Sequence, residues 1–360
     1  MSEAIEGESA PSASFAPDLP SRFRRFALEN ALPTSPLYSQ IALGIAGDPA
    51  ALRLANRAAS HPVTNLFLAA VHFLLLRGAD HPLRNFYPNL TDEISRTEQV
   101  YSEFQSFCGL YQDEIVHLLR TRRTQTNEVC RCLYVALGLD RVVREAGELA
   151  VIDVGASAGL HLLWPRYGYD YDGRKLGDAS APVQLSCRFR GRVRPIMPGE
   201  WAKPLIQIGI DLNPLDARNS NDCLWLQALV WPENRERARW LDAALGMARQ
   251  TPPLLLRGDA FDLLPRVLSS LDQDIAVCVC HNHTLNQFSS PERARFFNLL
   301  ADFGKQRNIY ELSAEWIDRS GMNTQQPGFV LSHYFRGSRS DRLLAYVDDH
   351  GQWIEWVGTG

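Results

Sequence analysis

A change of pattern at Leu149 constrains this chain more than any other feature. From about Ser21 to Glu148, apolar residues recur at helical spacing and no strand pattern appears. Ala150-Val151-Ile152-Asp153-Val154 is then a short apolar, β-branched run. A turn of small residues, Gly155-Ala-Ser-Ala-Gly159, follows, and then an amphipathic stretch from Leu160 to Tyr167. Strand, small-residue turn, helix is the opening of a βαβ unit. Further strands are expected at Leu205 to Ile210, Leu254 to Leu256, Asp274 to Cys280 and Asn308 to Leu312. Helical patterns separate most of them, at Asp222 to Gln250, Phe261 to Leu271 and Pro291 to Gln306. Strands that alternate with helices imply a parallel sheet covered on both faces. Three closely spaced runs, Gly328 to Tyr334, Arg342 to Asp348 and Gln352 to Val357, are expected to form an antiparallel edge, with Asp349-His350-Gly351 as a tight turn.

The organisation expected is therefore a tail over residues 1–20, a helical domain over 21–148 and an α/β domain over 149–360. An insertion at about 168–204 carries one extra strand, Val183 to Phe189. The tail holds four acids and no base among Ser, Ala and Pro, a disordered composition without the positive start of a secretory signal. In the helical domain, Asp48-Pro49 is a good helix start. Asn65 is a candidate cap for a helix from Leu66 to Arg77 that stops at Gly78, and a longer helix is expected from Asp113 to Leu137, ending at Gly138. The apolar run Leu66 to Leu76 is far short of the roughly 20 residues that span a bilayer. Hydrophobic residues make up 45% of the chain, enough for a sizeable core, and the formal net charge of −4 gives no reason to expect nucleic-acid binding. Seven scattered cysteines suit reduced, mostly buried thiols. A cytoplasmic, soluble protein is expected, acting on a small molecule, with oligomeric state left open.

Five segments carry chemistry. The turn Gly155 to Gly159 would let backbone approach a ligand, with Ser157 and nearby N–H groups holding a carboxylate or phosphate; a turn that only packs helix on sheet has the same sequence. Asp211, in Ile210-Asp211-Leu-Asn213-Pro214, stands at a strand end where such folds bind ribose hydroxyls, though 52 positions after Gly159. Capping the turn at Asn213-Pro214 is its alternative. Asp259 and Ala260, in Arg257-Gly258-Asp259-Ala260-Phe261, stand where an adenine amino group would be met, or where Asp259 caps the next helix. The fourth segment is Cys278-Val-Cys280-His281-Asn282-His283. Strand alternation puts the cysteines on one face and both histidines on the other if the strand continues. Four such ligands admit a zinc reading, but no second ligand pair accompanies them. A strand-end His281 suits a general base, with Asn282 and His283 beside a substrate; a satisfied buried histidine is the alternative.

The fifth is the polar run Arg120 to Glu128, nine residues without an apolar one, continuing to Arg131. Read as helix, it places Thr124, Asn127 and Arg131 on one face with Gln125 and Glu128 beside it. Such a run is commonly a solvated face. Its amide-rich centre instead suggests that Gln125, Asn127 and Glu128 border a cleft facing His281, with Arg131 pairing Glu128.

Taken together, the acid–strand–glycine turn, the acids after the second and third strands and the antiparallel end resemble the S-adenosylmethionine-dependent methyltransferase fold, a Rossmann-like, mostly parallel sheet, here preceded by an all-α domain. The resemblance implies S-adenosylmethionine as cofactor, with Asp153 and Gly155, Ser157 and Gly159 at its methionine part, Asp211 at the ribose and Asp259 with Ala260 at the adenine. The chain also resembles a bacterial family known only as domain of unknown function 2332. That likeness rests on Asn65-Leu-Phe-Leu-Ala-Ala-Val-His72, Leu76-Arg-Gly-Ala-Asp80-His-Pro82, Arg122-Arg-Thr-Gln-Thr-Asn-Glu-Val129 with Arg131, Gly155-Ala-Ser-Ala-Gly-Leu160, Asp211-Leu-Asn-Pro-Leu-Asp216 and Ala228-Leu-Val-Trp-Pro-Glu233. Ala156-Ser157-Ala158 departs from the glycine-rich turn of methyltransferases, and the insertion before Asp211 is long. The expected function is a small-molecule methyltransferase using His281 and Glu128. A non-catalytic ligand-binding or regulatory protein is the alternative, and a zinc-dependent enzyme is third.

Overall fold

The computed structural model describes residues 18–92, 99–317 and 323–358. The expected tail therefore lies outside the described residues up to residue 17, and a helix begins at Leu19. The chain divides into two compact units, residues 1–125 with 224–235, and residues 126–223 with 236–360.

The regular elements described in the first unit are helical. They include Leu19–Arg25, Pro36–Gly47, Pro49–Ala55, Val63–Leu76, Val100–Leu110 and Gln112–Thr121. Asp48 starts its helix as expected, its carboxylate accepting from the Ala50 N–H at 2.8 Å. Val63–Leu76 begins two residues before Asn65, after Pro62, and is buried on almost every side. That burial accounts for its continuous apolar sequence. Among the described residues, no helix is long and apolar enough to cross a membrane. Segment 224–235 is sewn into this unit by polar contacts. His72 Nδ1 donates to the Ala228 carbonyl at 3.1 Å while its Nε2 accepts from Asn89 at 2.9 Å. Glu233 accepts from the Ser35 hydroxyl at 2.7 Å and the Leu37 N–H at 3.1 Å, at the start of helix Pro36–Gly47. Burial pushes His72 down to about 4, so it is neutral there.

The second unit is built on one sheet. Its strands are β1 (Leu149–Val154), β2 (Gly168–Tyr171), β3 (Arg174–Gly177), β4 (Gln184–Arg190), β5 (Ile206–Asp211) and β6 (Leu255–Arg257), then β7 (Ala276–Asn282), β8 (Ile309–Ile317), β9 (Asn323–Phe335), β10 (Ser338–Val347) and β11 (Trp353–Trp356). Their order is β3-β2-β4-β11-β10-β9-β8-β7-β1-β5-β6. The run β8-β7-β1-β5-β6 is parallel, and β8 to β11 pair antiparallel. The unit is thus α/β with a mostly parallel, partly antiparallel sheet.

Several expectations need correcting. The antiparallel strands are not an edge, because β11 pairs on its far side with β4 of the insertion, Trp353 opposite Arg188. An open strand edge presents unpaired backbone groups, and the insertion satisfies them. The helix expected from Asp113 to Leu137 is broken: Gln112–Thr121 ends, residues 122–128 have no regular structure, and the chain re-enters through the 3-10 turn Val129–Arg131 into Cys132–Ala146. Nine residues without an apolar side chain offer a helix no face to bury, so the stretch leaves it. The stretch Leu160 to Tyr167 is a 3-10 helix, Leu160–Arg166, with Pro165 inside. The pattern expected at Asp222 to Gln250 likewise splits, into Ser220–Ala228 and Arg235–Gln250, around Pro232.

Gly138 does not stop its helix. It sits inside Cys132–Ala146, where a Cβ would stand 2.6 Å from Phe329 Cζ and 2.8 Å from Leu312 Cδ2. Both side chains are fully buried and have no free space to move into. Gly138→Ala should therefore destabilise by about 1–3 kcal/mol through overpacking, against the gain of about 1 kcal/mol usual for this change in an exposed helix. Denaturant unfolding checks the sign; a stabilised variant would refute the close approach.

Candidate functional site

Asp153, Asp211 and Asp259 stand at or just beyond the carboxyl ends of β1, β5 and β6, where ligands meet open α/β sheets. The turn after β1 is held from within. Gly155 and Ala156 N–H groups donate to the Ile210 carbonyl at 2.9 and 3.3 Å, and Ser157 N–H to Asp211 Oδ2 at 2.8 Å. Asp211 Oδ1 also accepts from Asn213 N–H at 2.7 Å, so this acid does cap its own turn. Gly159 needs its left-handed φ of 70°, and a Cβ there would meet Pro253 at 2.7 Å. At Gly155 the space of the missing side chain is taken by Thr284, 2.4 Å from an ideal Cβ. Asp259 accepts from Phe261 N–H at 2.8 Å and caps the helix Ala260–Ser270.

His281, on β7, is sealed against β8. Its Nδ1 donates to Glu315 Oε1 at 2.8 Å and its Nε2 to Glu311 Oε1 at 3.1 Å, with 1% of the side chain exposed. Burial alone would lower its pKa, but the hydrogen bonds and charges of Glu311 and Glu315 outweigh it and raise the ring to about 9. It is therefore a cation at neutral pH with both nitrogens committed. Glu315 Oε1 also accepts from the N–H groups of Thr284 and Leu285, at 3.0 and 3.1 Å, and Glu311 Oε2 from the Tyr334 hydroxyl at 2.7 Å. Neither acid was anticipated. The signal was two acids four residues apart in an apolar strand, hence on one face with His281 between.

His283 faces other partners. β7 ends at Asn282, and His283 takes a left-handed φ of 55°, uncommon for a side chain of its size. Its Nε2 is buried without a hydrogen bond, 3.7 Å from Asp349 Oδ1. Burial, then Arg131, His350 and His161, push it well below the ordinary histidine value, so the ring is neutral. Cys278 and Cys280 sulfurs lie 3.8 Å apart, on the other side of the strand from His281. Among the described residues, no group of three or more His, Cys, Asp or Glu is arranged to hold a metal.

Segment 126–131 completes the cluster. Asn127 Oδ1 accepts from Leu160 N–H at 3.0 Å, at the end of the glycine turn. Glu128 is buried and bonded to Arg237, with His350 Nδ1 at 3.4 Å. Burial would raise its carboxyl, but Arg237 and then His350 hold it well below the usual carboxylate range. The expected Glu128–Arg131 pairing is thus corrected: Arg237 is the partner, and Arg131 Nε donates to the Asp349 carbonyl at 3.0 Å. His161 Nε2 donates to the Glu128 carbonyl at 2.9 Å and turns Nδ1 toward Asp153 Oδ2, 3.7 Å away. Gln125 belongs to the first unit. His161, Arg237, Asp349 and His350 were missed as site residues, since nothing local marks them before the chain folds.

Several buried atoms in the cluster have no hydrogen-bond partner: Asp153 Oδ2, Asn282 Oδ1, His283 Nε2 and Asp349 Oδ1. Buried polar groups are normally satisfied, so this concentration beside a strand end makes it the candidate site. Burial, then Asp211, raises Asp153 to about 7.

A carboxyl raised in the fold favours its protonated form, so stability falls as pH climbs from 3.8, its ordinary value, to about 7. Asp153→Asn removes that loss. Its Tm should exceed that of the wild type near about pH 8, and the gain should vanish near about pH 4. Thermal unfolding at both pH values checks this; an equal or lower Tm on the alkaline side would contradict the buried-carboxyl geometry.

No curated protein matches the sequence. The chain belongs to the family described as uncharacterized protein conserved in bacteria (DUF2332), which matches residues 20–356.

Proposed function

We propose that this protein is an S-adenosylmethionine-dependent methyltransferase acting on a small molecule, its second unit a Rossmann-like sheet of the methyltransferase type. The observation that carries this reading is the pair of buried acceptors without partners, Asp153 Oδ2 and Asn282 Oδ1, at the ends of neighbouring strands beside the glycine turn. The ammonium of the cofactor's methionine part is a donor that suits them. Because the turn amides are engaged, side chains rather than a nest of N–H groups would hold that part, with Asp211 and Asp259 on the ribose and adenine sides.

When bound, the cofactor supplies an electrophilic methyl group. Methyl transfer then asks the protein for positioning and, where the nucleophile carries a proton, for a base. His283 suits that role, since a neutral ring beside the Asp349 carboxylate keeps a lone pair at neutral pH. His281 is a positioning residue: through Glu315 it ties the strand end to the Thr284 and Leu285 amides and so fixes where His283 stands. Glu128, anchored by Arg237, holds His350 in the same cluster.

A second reading, ligand binding without turnover, is favoured by the closed turn, in which Asp211 accepts from Ser157 and Asn213. Calorimetric titration with S-adenosylmethionine and S-adenosylhomocysteine tests the cofactor. Both should bind, and Asn282→Leu should weaken each by about tenfold, the worth of one charge-assisted hydrogen bond. Absence of binding at millimolar concentration rules the methyltransferase out. Transfer of labelled methyl to a small-molecule extract, lost in His283→Ala, separates the two readings; binding without transfer supports the second.

A further inference from the structure

Two buried guanidinium groups of the second unit are used in opposite ways. Arg307, 5% exposed, spends both Nη atoms on main-chain carbonyls, Nη1 donating to Leu268 and Leu271 and Nη2 to Asp272 and Ile275. Arg131, 8% exposed, donates through Nε to the Asp349 carbonyl at 3.0 Å. Among the described residues, its Nη1 and Nη2 have no hydrogen bond and no ion-pair partner. Glu128, three positions before it, is bound to Arg237 instead. A guanidinium carries five N–H donors, and buried donors are normally satisfied. A buried cation without a counter-charge is also costly. Arg307 is satisfied by its own fold, whereas Arg131 keeps four N–H groups open. Its charge stands within the strand-end cluster. After the effect of burial it lowers His283 and His161, and it is among the charges that hold Asp153 and Asp349 down against burial, which raises them.

We propose that Arg131 is the anion-binding residue of the strand-end site, and that the substrate there is a small monoanionic carboxylic acid held side-on by Nη1 and Nη2. The inference deepens the functional reading above and rests on it for the place of the substrate. The parallel donors of a guanidinium fork match the two oxygens of a carboxylate. Charge selects a single negative group. Asp153 and Asp349 stand close by, so a phosphate group, about −1.5 to −2 at neutral pH, would meet repulsion that one arginine does not offset. The cofactor's methionine part carries a carboxylate too, but Asp153 and Asn282 take that part. Arg131 is tied to the turn that carries Asp349, next to the base His283, which is the substrate's side.

Calorimetric titration of the full chain with propionate and benzoate tests this, each set against its neutral amide. At least one acid should bind at millimolar concentration, its amide should not compete, and inorganic phosphate should bind no tighter. Arg131→Met should weaken that acid by about tenfold or more, the worth of a charge-assisted hydrogen bond. Arg131→Lys, which keeps the charge without the fork, should weaken it less. S-adenosylhomocysteine should bind the Arg131→Met protein as it binds the wild type. Thermal unfolding supplies a check that needs no ligand. Methionine is long and apolar and removes an open buried charge, so the Tm of Arg131→Met should hold or rise. A steep fall in Tm would make Arg131 architecture like Arg307 and overturn the proposal. Binding of neither acid overturns it, as does acid binding that survives Arg131→Met. An equal loss of S-adenosylhomocysteine would assign Arg131 to the cofactor and overturn it as well. Acid binding lost in Arg131→Met, with neither cofactor form bound, supports the anion site while the methyltransferase reading fails.

Discussion

Burying the His281 imidazolium beside Glu311 and Glu315 commits the whole end of β7. A buried charge is tolerated only with its partners in place, and removing one typically costs about 3–5 kcal/mol. The cluster therefore acts as a rigid pin. It clamps β7 to β8 through side chains as well as through the backbone ladder, and Glu315 extends the grip to the Thr284 and Leu285 amides. Thr284 in turn fills the space beside Gly155 and donates to the Val154 carbonyl at 3.1 Å. The turn after β1 and the left-handed His283 are thus both set by a charge neither of them touches.

The sequence motifs on which the family resemblance rests divide into two kinds once folded. His72 and Glu233 close contacts inside the first unit, one neutral and buried, the other at a helix start. Asn127 and Glu128 instead bring an irregular segment to the glycine turn and the charged cluster of the second unit. Polarity alone does not separate these roles. A buried polar residue with every hydrogen bond satisfied is architecture, whereas a group of unsatisfied ones at a strand end invites a ligand.

Much of the sheet was legible because its strands are short, apolar and bounded by turns. The runs at Ala150, Leu205, Leu254 and Asp274 each lie within about two residues of the strand they became. What could not be read was pairing between distant segments. β4 was seen as a strand, but nothing local says that it extends the sheet beyond β11. At the candidate site, periodicity pointed to the Cys278–His283 strand end but not to the partners of its two histidines. His281 became a sealed cation because Glu311 and Glu315 arrive from β8, and His283 left its face because its backbone turns left-handed. Helical spacing also misplaced the polar run at Arg120 to Glu128, since that spacing presumes a helix the run cannot sustain.

The pairing of β4 with β11 has a consequence for biosynthesis. Arg188 must wait for Trp353 before its strand has a neighbour on that side. At ribosomal speeds of about 5–20 residues per second, the wait is on the order of ten seconds. Throughout that interval the nascent chain carries an open β edge able to recruit another copy. Arg188, Arg190, Arg192 and Arg194 occupy that stretch at every second position. Two such unfinished chains would present like charges to each other, which opposes pairing along that edge.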